Sequence, residues 1–267
     1  MRHADGSLIR CAVAAAWLLA LAAPAAAQQM PSPTPAGPGF LTRYDFHLTG
    51  TALAIDDARF TWTARFGGDL DLIDYVAGRA TITADYETVL GDELRPFDPI
   101  QGNYILEAAA SLRAGRTEIV GVFHHVSRHL GDRPKVFAIA WNTLGARVLR
   151  RGSMGATTLD VNVDGARVVQ KAFVDYSWIG QADVVLRRTL SPRAGVFVHG
   201  MGQTFGVDPL LARRERQTGG LVEGGVRLEG SGAAMELFAG YERRVDADAI
   251  DRRPQHWAMA GFRLLGR

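Results

Sequence analysis

Within residues 121–148, GVFHHVSRHLGDRPKVFAIAWNTLGARV, three histidines fall inside six positions, His124, His125 and His129, around a single serine, Ser127. A serine hydroxyl is a poor nucleophile near neutral pH until a base takes its proton, and a neighbouring imidazole is the usual base. On an extended strand His125 and Ser127 are two positions apart and point to the same side. Such a pair needs a third group that holds the ring in one tautomer. If the following turn is centred between Arg133 and Pro134, antiparallel partners sum to 267, which sets Asn142 opposite His125 and the small Ala140 opposite Ser127. Directly opposed side chains have Cβ atoms within about 5.5 Å, so Asn142 is the candidate orienting group. A slip of one residue would carry it to the other face and end the arrangement.

Other clusters admit plainer readings. His125 and His129 have the i, i+4 spacing of a helical metal site, but the surrounding pattern is that of a strand. Asp69, Asp71 and Asp74 suggest a calcium loop, yet the spacing lacks the required glycine and the terminal glutamate, which leaves a solvated loop as the expectation. Arg213, Arg214 and Arg216 fall in an expected loop, with anionic lipid headgroups as the functional alternative. Phe97-Asp98-Pro99 reads as a structured loop between strands and carries no assigned function. The lone Cys11 rules out a disulfide framework and a cysteine metal site.

The elements that must position these residues are strands. In residues 59–66, RFTWTARF, Phe60, Trp62, Ala64 and Phe66 share one face and Arg59, Thr61, Thr63 and Arg65 the other. Residues 78–90 alternate in the same way. Similar segments at 44–55, 103–113, 118–129, 135–150, 157–163, 174–188, 194–205, 219–229, 233–245 and 255–265 bring the expectation to about twelve strands. Turn signals separate them at Asp56-Asp57, Gly91-Asp92, Gly131 to Pro134, Arg151-Gly152, Ser191-Pro192 and Gly230 to Gly232. After Gly39 no apolar run is long enough for a membrane helix, so contact with a bilayer requires a closed barrel. Phe60, Trp62, Tyr86, Phe238 and Trp257 are expected on its nonpolar face.

The 267 residues are 47% hydrophobic and 22% charged, which excludes disorder, and the net charge of +2 gives no field for nucleic acid. Arg2 and Arg10 precede an apolar run that ends in Ala25-Ala26-Ala27, the pattern of a secretory signal peptide over residues 1–27. Residues 28–39, QQMPSPTPAGPG, form a Pro-rich spacer. Exported and built of about twelve alternating strands, residues 40–267 resemble a bacterial outer-membrane barrel, all-β, antiparallel and up-and-down.

His125-Val126-Ser127, with Trp141-Asn142 on the next strand, resembles the His-x-Ser and downstream Trp-Asn of the outer-membrane phospholipase A family. The lipid A deacylase barrels also carry His-x-Ser but take a glutamate as third member, and no acidic residue lies between Lys135 and Arg150. Ser127-Arg128-His129-Leu130-Gly131-Asp132 is similar as well to a group of outer-membrane proteins with a His-x-Ser-x-His-Leu-Gly-Asp signature. The specific match is confined to this hairpin; the rest is architectural. The resemblance implies a twelve-stranded barrel in which Ser127 attacks a lipid ester carbonyl, His125 acts as base and then acid, and Asn142 orients His125. It implies a site on the exterior near the outer leaflet, with Phe123, Ala138, Ala140, Leu144 and Val148 on the same face and His124, Arg128, Thr143 and Arg147 toward the lumen. It further implies a phospholipid or lipid A substrate, a homodimer, and calcium as cofactor, for which Asp132 is the nearest hard oxygen ligand. Where the phospholipase follows its serine with Asn-Gly, this chain has Arg128-His129, so the oxyanion donors fall to Arg128 or to backbone amides near His129. The expected function is an outer-membrane lipid acyl-ester hydrolase. The alternatives are a non-catalytic barrel, pore or structural, and a soluble periplasmic binding barrel.

Overall fold

The computed structural model describes residues 31–266; the expected signal peptide, Cys11 and the start of the spacer lie outside the described residues. Twelve strands follow in chain order: β1 (Gly39–Ala54), β2 (Trp62–Asp74), β3 (Arg79–Gly91), β4 (Asp98–Ala114), β5 (Thr117–Leu130), β6 (Ile139–Met154), β7 (Thr157–Ala172), β8 (Tyr176–Ser191), β9 (Ala194–Val207), β10 (Gln217–Glu229), β11 (Ala233–Arg244) and β12 (Gln255–Gly266). Each pairs antiparallel with the next, and β1 meets β12 from His47↔Leu265 to Ala54↔Ala258, so the sheet closes into the expected up-and-down barrel. Period-two alternation drives this. Along β11, Leu237 and Tyr241 face outward while Glu236, Phe238, Glu242 and Arg244 are buried inside.

The two ends differ. At one, strands are joined by turns of two to four residues, and Gly115 and Gly155 open two-residue turns at φ 62° and 57°, where a side chain would be strained. At the other, the connections at 55–61, 131–138, 208–216 and 245–254 are longer. In outer-membrane barrels the short turns are periplasmic and the long loops extracellular.

A charge inside such a cylinder must be paired. Arg79 lies between Asp71 (3.0 Å) and Glu118 (2.8 Å), and Arg263 between Glu223 (2.7 Å) and Glu236 (2.8 Å). Glu107 receives Arg147 (2.7 Å) and His124 (3.1 Å). Apolar clusters occupy part of the remainder, a first around Phe60, Phe197, Phe238 and Trp257, a second around Val126, Trp141, Tyr176 and Phe205, and a third of Ala109, Val120, Val122 and Leu149. The 245–254 loop enters the long-loop mouth, placing Val245 in the second cluster and Ala247 in the first. Asp246 is gripped there by Tyr176 (2.5 Å) and Arg214 (2.7 Å), and Arg214 also holds Asp175 (2.7 Å). Below this plug lies a cavity of about 210 Å³, and a larger one of about 1190 Å³ opens toward the short-turn end.

Several expectations are corrected. Asp69, Asp71 and Asp74 are not a solvated loop: β2 continues through them and they point inward, because a barrel that faces hydrocarbon outside puts its charges inside, where Arg43, Arg79, Arg113 and Thr83 meet them. Phe60, Phe238 and Trp257 are interior rather than on the outer face, since part of the lumen is packed with apolar side chains; Trp62 and Tyr86 do face outward. Arg151-Gly152 lies within β6, where Arg151 pairs with Asp160 of β7 (2.7 Å), and the turn falls at Gly155-Ala156. Asp98 and Pro99 belong to β4, with Asp98 bound by Arg133 (3.0 Å), so only Phe97 remains in the loop.

Candidate functional site

The hairpin of β5 and β6 has the register expected from its turn, with His125 opposite Asn142 and Ser127 opposite Ala140. Alternation sends Phe123, His125, Ser127 and His129 outward, with Leu144 and Val148 beside them on β6. Val122, Val126, Thr143 and Trp141 are buried inside. Ser127 stands three residues from the end of β5, near the long-loop rim.

His125 and Asn142 are brought together: His125 Nδ1 lies 2.6 Å from Asn142 Oδ1. A ring that donates Nδ1–H to this oxygen keeps Nε2 free to accept a proton. The carboxamide is itself aimed, because Asn142 Nδ2 donates to Gln170 Oε1 of β7 at 2.8 Å. Gln170 was not among the expected site residues. It reaches Asn142 through a β-bulge, in which Asn142 pairs with Gln170 while Thr143 pairs with Val168, leaving Val169 as the extra residue. No pattern in the β5–β6 hairpin announces it.

Ser127 has a different partner from the expected one. Its Oγ lies 2.9 Å from His129 Nε2, and no hydrogen bond joins it to His125 in this rotamer. The His129 ring stands edge-on to Tyr104 of β4, the cross-strand neighbour of Ser127, at 5.2 Å and 87°. Tyr104 continues into an outward row of rings across the wall, to Tyr86 at 5.0 Å and from Tyr86 to Phe66 at 5.5 Å. Gly102, opposite His129, leaves the space over which the Tyr86 hydroxyl lies.

Arg128 cannot serve as an oxyanion donor beside Ser127, because the neighbouring position on a strand faces the other way. Its guanidinium points into the lumen, donates to the Asp246 carbonyl at 2.6 Å and covers the Trp141 ring at 5.4 Å. The cation next to the site is Lys135 of the 131–138 loop, whose Nζ donates to the Arg128 carbonyl at 2.5 Å. Burial holds the Lys135 ammonium below the usual lysine range.

His124 faces inward onto Glu107, on the opposite side of the wall from His125 and His129, so the three histidines do not converge. Among the described residues no group of three or more His, Cys, Asp or Glu is placed to hold a metal ion. Asp132 sits in an exposed turn with its carboxylate on Arg95 at 2.6 Å. Calcium takes six to eight oxygens, and one carboxylate already neutralised by an arginine does not fit it. The Arg213, Arg214, Arg216 cluster lies in the loop between β9 and β10 as expected, but Arg214 is taken up by Asp175 and Asp246 rather than offered to a headgroup.

A closed twelve-stranded antiparallel barrel, with an apolar outer face, turns of two to four residues at one end and the longest loops at the other, is the architecture of bacterial outer-membrane proteins. Among solved structures the chain is similar to outer membrane phospholipase A from Escherichia coli, at 11% identity over 84% of this chain and 92% of that one, with a TM-score of 0.51. An active-site asparagine-to-alanine mutant of the same phospholipase matches at 12% identity over 90% and 95% of the two chains, with a TM-score of 0.52. The Acinetobacter baumannii outer membrane protein Omp33 is more distant, at 10% identity over 84% and 97% and a TM-score of 0.40. At these identities the likeness is one of fold. No protein-family model matches the chain, and no curated protein matches it significantly.

Proposed function

We propose that the protein is an outer-membrane hydrolase of lipid acyl esters, acting on phospholipid or lipid A from the outer face of its barrel through Ser127, His125 and Asn142. The observation that carries this reading is the 2.6 Å contact between His125 Nδ1 and Asn142 Oδ1, on the outward face two residues from the serine. Support comes also from the fold shared with a phospholipase, one of whose active-site mutants replaces an asparagine. Rotation of Ser127 about χ1 exchanges staggered wells on the same face, and this reading requires one that brings the hydroxyl to His125. There Nε2 takes the proton as Oγ attacks the ester carbonyl, returns it to the departing alcohol, and repeats both transfers with water to release the fatty acid. Asn142 keeps the ring in the tautomer this requires, and Gln170 keeps Asn142 turned toward it.

The test is acyl release from phospholipid vesicles by the detergent-purified protein, native and Ser127→Ala, with the folded barrel verified by heat-modifiable electrophoretic mobility. The substitution is expected to lower the rate by about 10³-fold or more. Equal rates would end the hydrolase reading and leave a non-catalytic barrel.

A further inference from the structure

Ser127 stands between two imidazoles on one face, His125 two residues before it and His129 two residues after, and its hydroxyl is bonded to the second at 2.9 Å. The triad built on His125 and Asn142 leaves His129 without a task. Yet the His129 ring is fixed apart from the serine, edge-on to Tyr104 at 5.2 Å, with Tyr104 in turn against Tyr86 at 5.0 Å. A base within hydrogen-bond reach of a hydroxyl, and held there by a third residue, is the arrangement that activates a serine.

We propose that His129 is a second catalytic base for Ser127, so that the hydroxyl can yield its proton to either flanking imidazole; the inference rests on the hydrolase reading. On this route the Ser127 O–H bond breaks as Oγ bonds to the ester carbonyl carbon, and the proton passes to His129 Nε2. The imidazolium gives that proton to the alcohol oxygen as the C–O bond breaks, leaving acyl-Ser127. Water then yields a proton to His129 Nε2 while its oxygen bonds to the acyl carbon, and Ser127 Oγ departs with the returned proton. The route needs His129 protonated at Nδ1 and free at Nε2. His125 has Asn142 to fix that state, whereas His129 is fixed in position by packing.

The full chain in detergent is assayed for acyl release and for covalent labelling of Ser127 by a fluorophosphonate, with Ser127→Ala as the zero. Because two parallel routes add, His125→Ala and His129→Ala are each expected to keep Ser127-dependent labelling at about half the native rate, the two residual rates summing to it, and the double variant to fall to the zero. His129→Gln, which keeps a hydrogen bond but no titrating nitrogen, is expected to match His129→Ala, and the labelling rate left in His125→Ala to rise with pH along one imidazole titration. If His125→Ala already labels at the zero, or if His129→Gln labels like the native protein, the second base is overturned. Native protein that is not labelled at Ser127 overturns the hydrolase reading itself, and this inference with it.

Discussion

Asn142 grips His125 through its carboxamide oxygen while its nitrogen is tied to Gln170, so one side chain carries orientation from β7 across β6 to β5. On the hydrolase reading, Asn142→Ala should lower kcat for ester hydrolysis about 10- to 100-fold with KM little changed, and Gln170→Ala should give a smaller loss of the same sign. Steady-state kinetics on a micellar ester measures both. The His125–Asn142 pairing was legible because two facts fix it, the position of the turn and the alternation of faces, and both can be read from residues 121–148. The bond from Ser127 to His129 was not, since positions two before and two after a serine share its face and only a rotamer chooses between them. Arg128 lies toward the lumen as alternation places it, and that placement excludes it as the oxyanion donor it was also offered as, since a neighbour of Ser127 along a strand cannot stand beside it.

Elements account for most of the remaining surprises. Gln170 depends on the bulge in β7, and a bulge leaves no mark in a pattern of alternating residues. β2 was cut short before Asp69 because acidic runs suggest loops in water-soluble chains, whereas here they line a closed interior against Arg43, Arg79 and Arg113. The same logic governs the long-loop mouth, where Asp175 and Asp246 meet Arg214. Burial alone would raise the Asp175 carboxyl, but the hydrogen bonds of Arg214 and the charges of Arg214 and Arg252 hold it below the usual carboxylate range. A carboxyl depressed in the folded state contributes stability above its unfolded value, about 4, and that contribution fades as pH falls through the folded value. Thermal unfolding in detergent should therefore show the native protein losing stability in that acid range, and Asp175→Asn already weakened at neutral pH with a flatter acid limb. An unchanged acid limb in the variant would remove Asp175 from the account.

For the molecule as a whole, the closed cylinder and its strand number were open to reading, because twelve alternating segments without a membrane helix leave few other solutions. What fills the cylinder was not, since Phe60, Phe238 and Trp257 obey the same alternation whether they face lipid or lumen. The plug formed by Val245, Asp246 and Ala247 argues against an open pore. Native protein in planar bilayers should pass little current, and replacing residues 246–252 with a Gly-Ser linker should raise the conductance; high native conductance would contradict the closed mouth. On the outer wall the rings of Phe66, Tyr86 and Tyr104 mark a level. Aromatic belts rest at the boundary between headgroups and acyl tails, which is also where the carbonyls of glycerolipids lie. On the hydrolase reading these rings act as a depth gauge that levels Ser127 with the ester to be cut, so that a lipid diffusing sideways within its leaflet would reach the hydroxyl without being lifted into water.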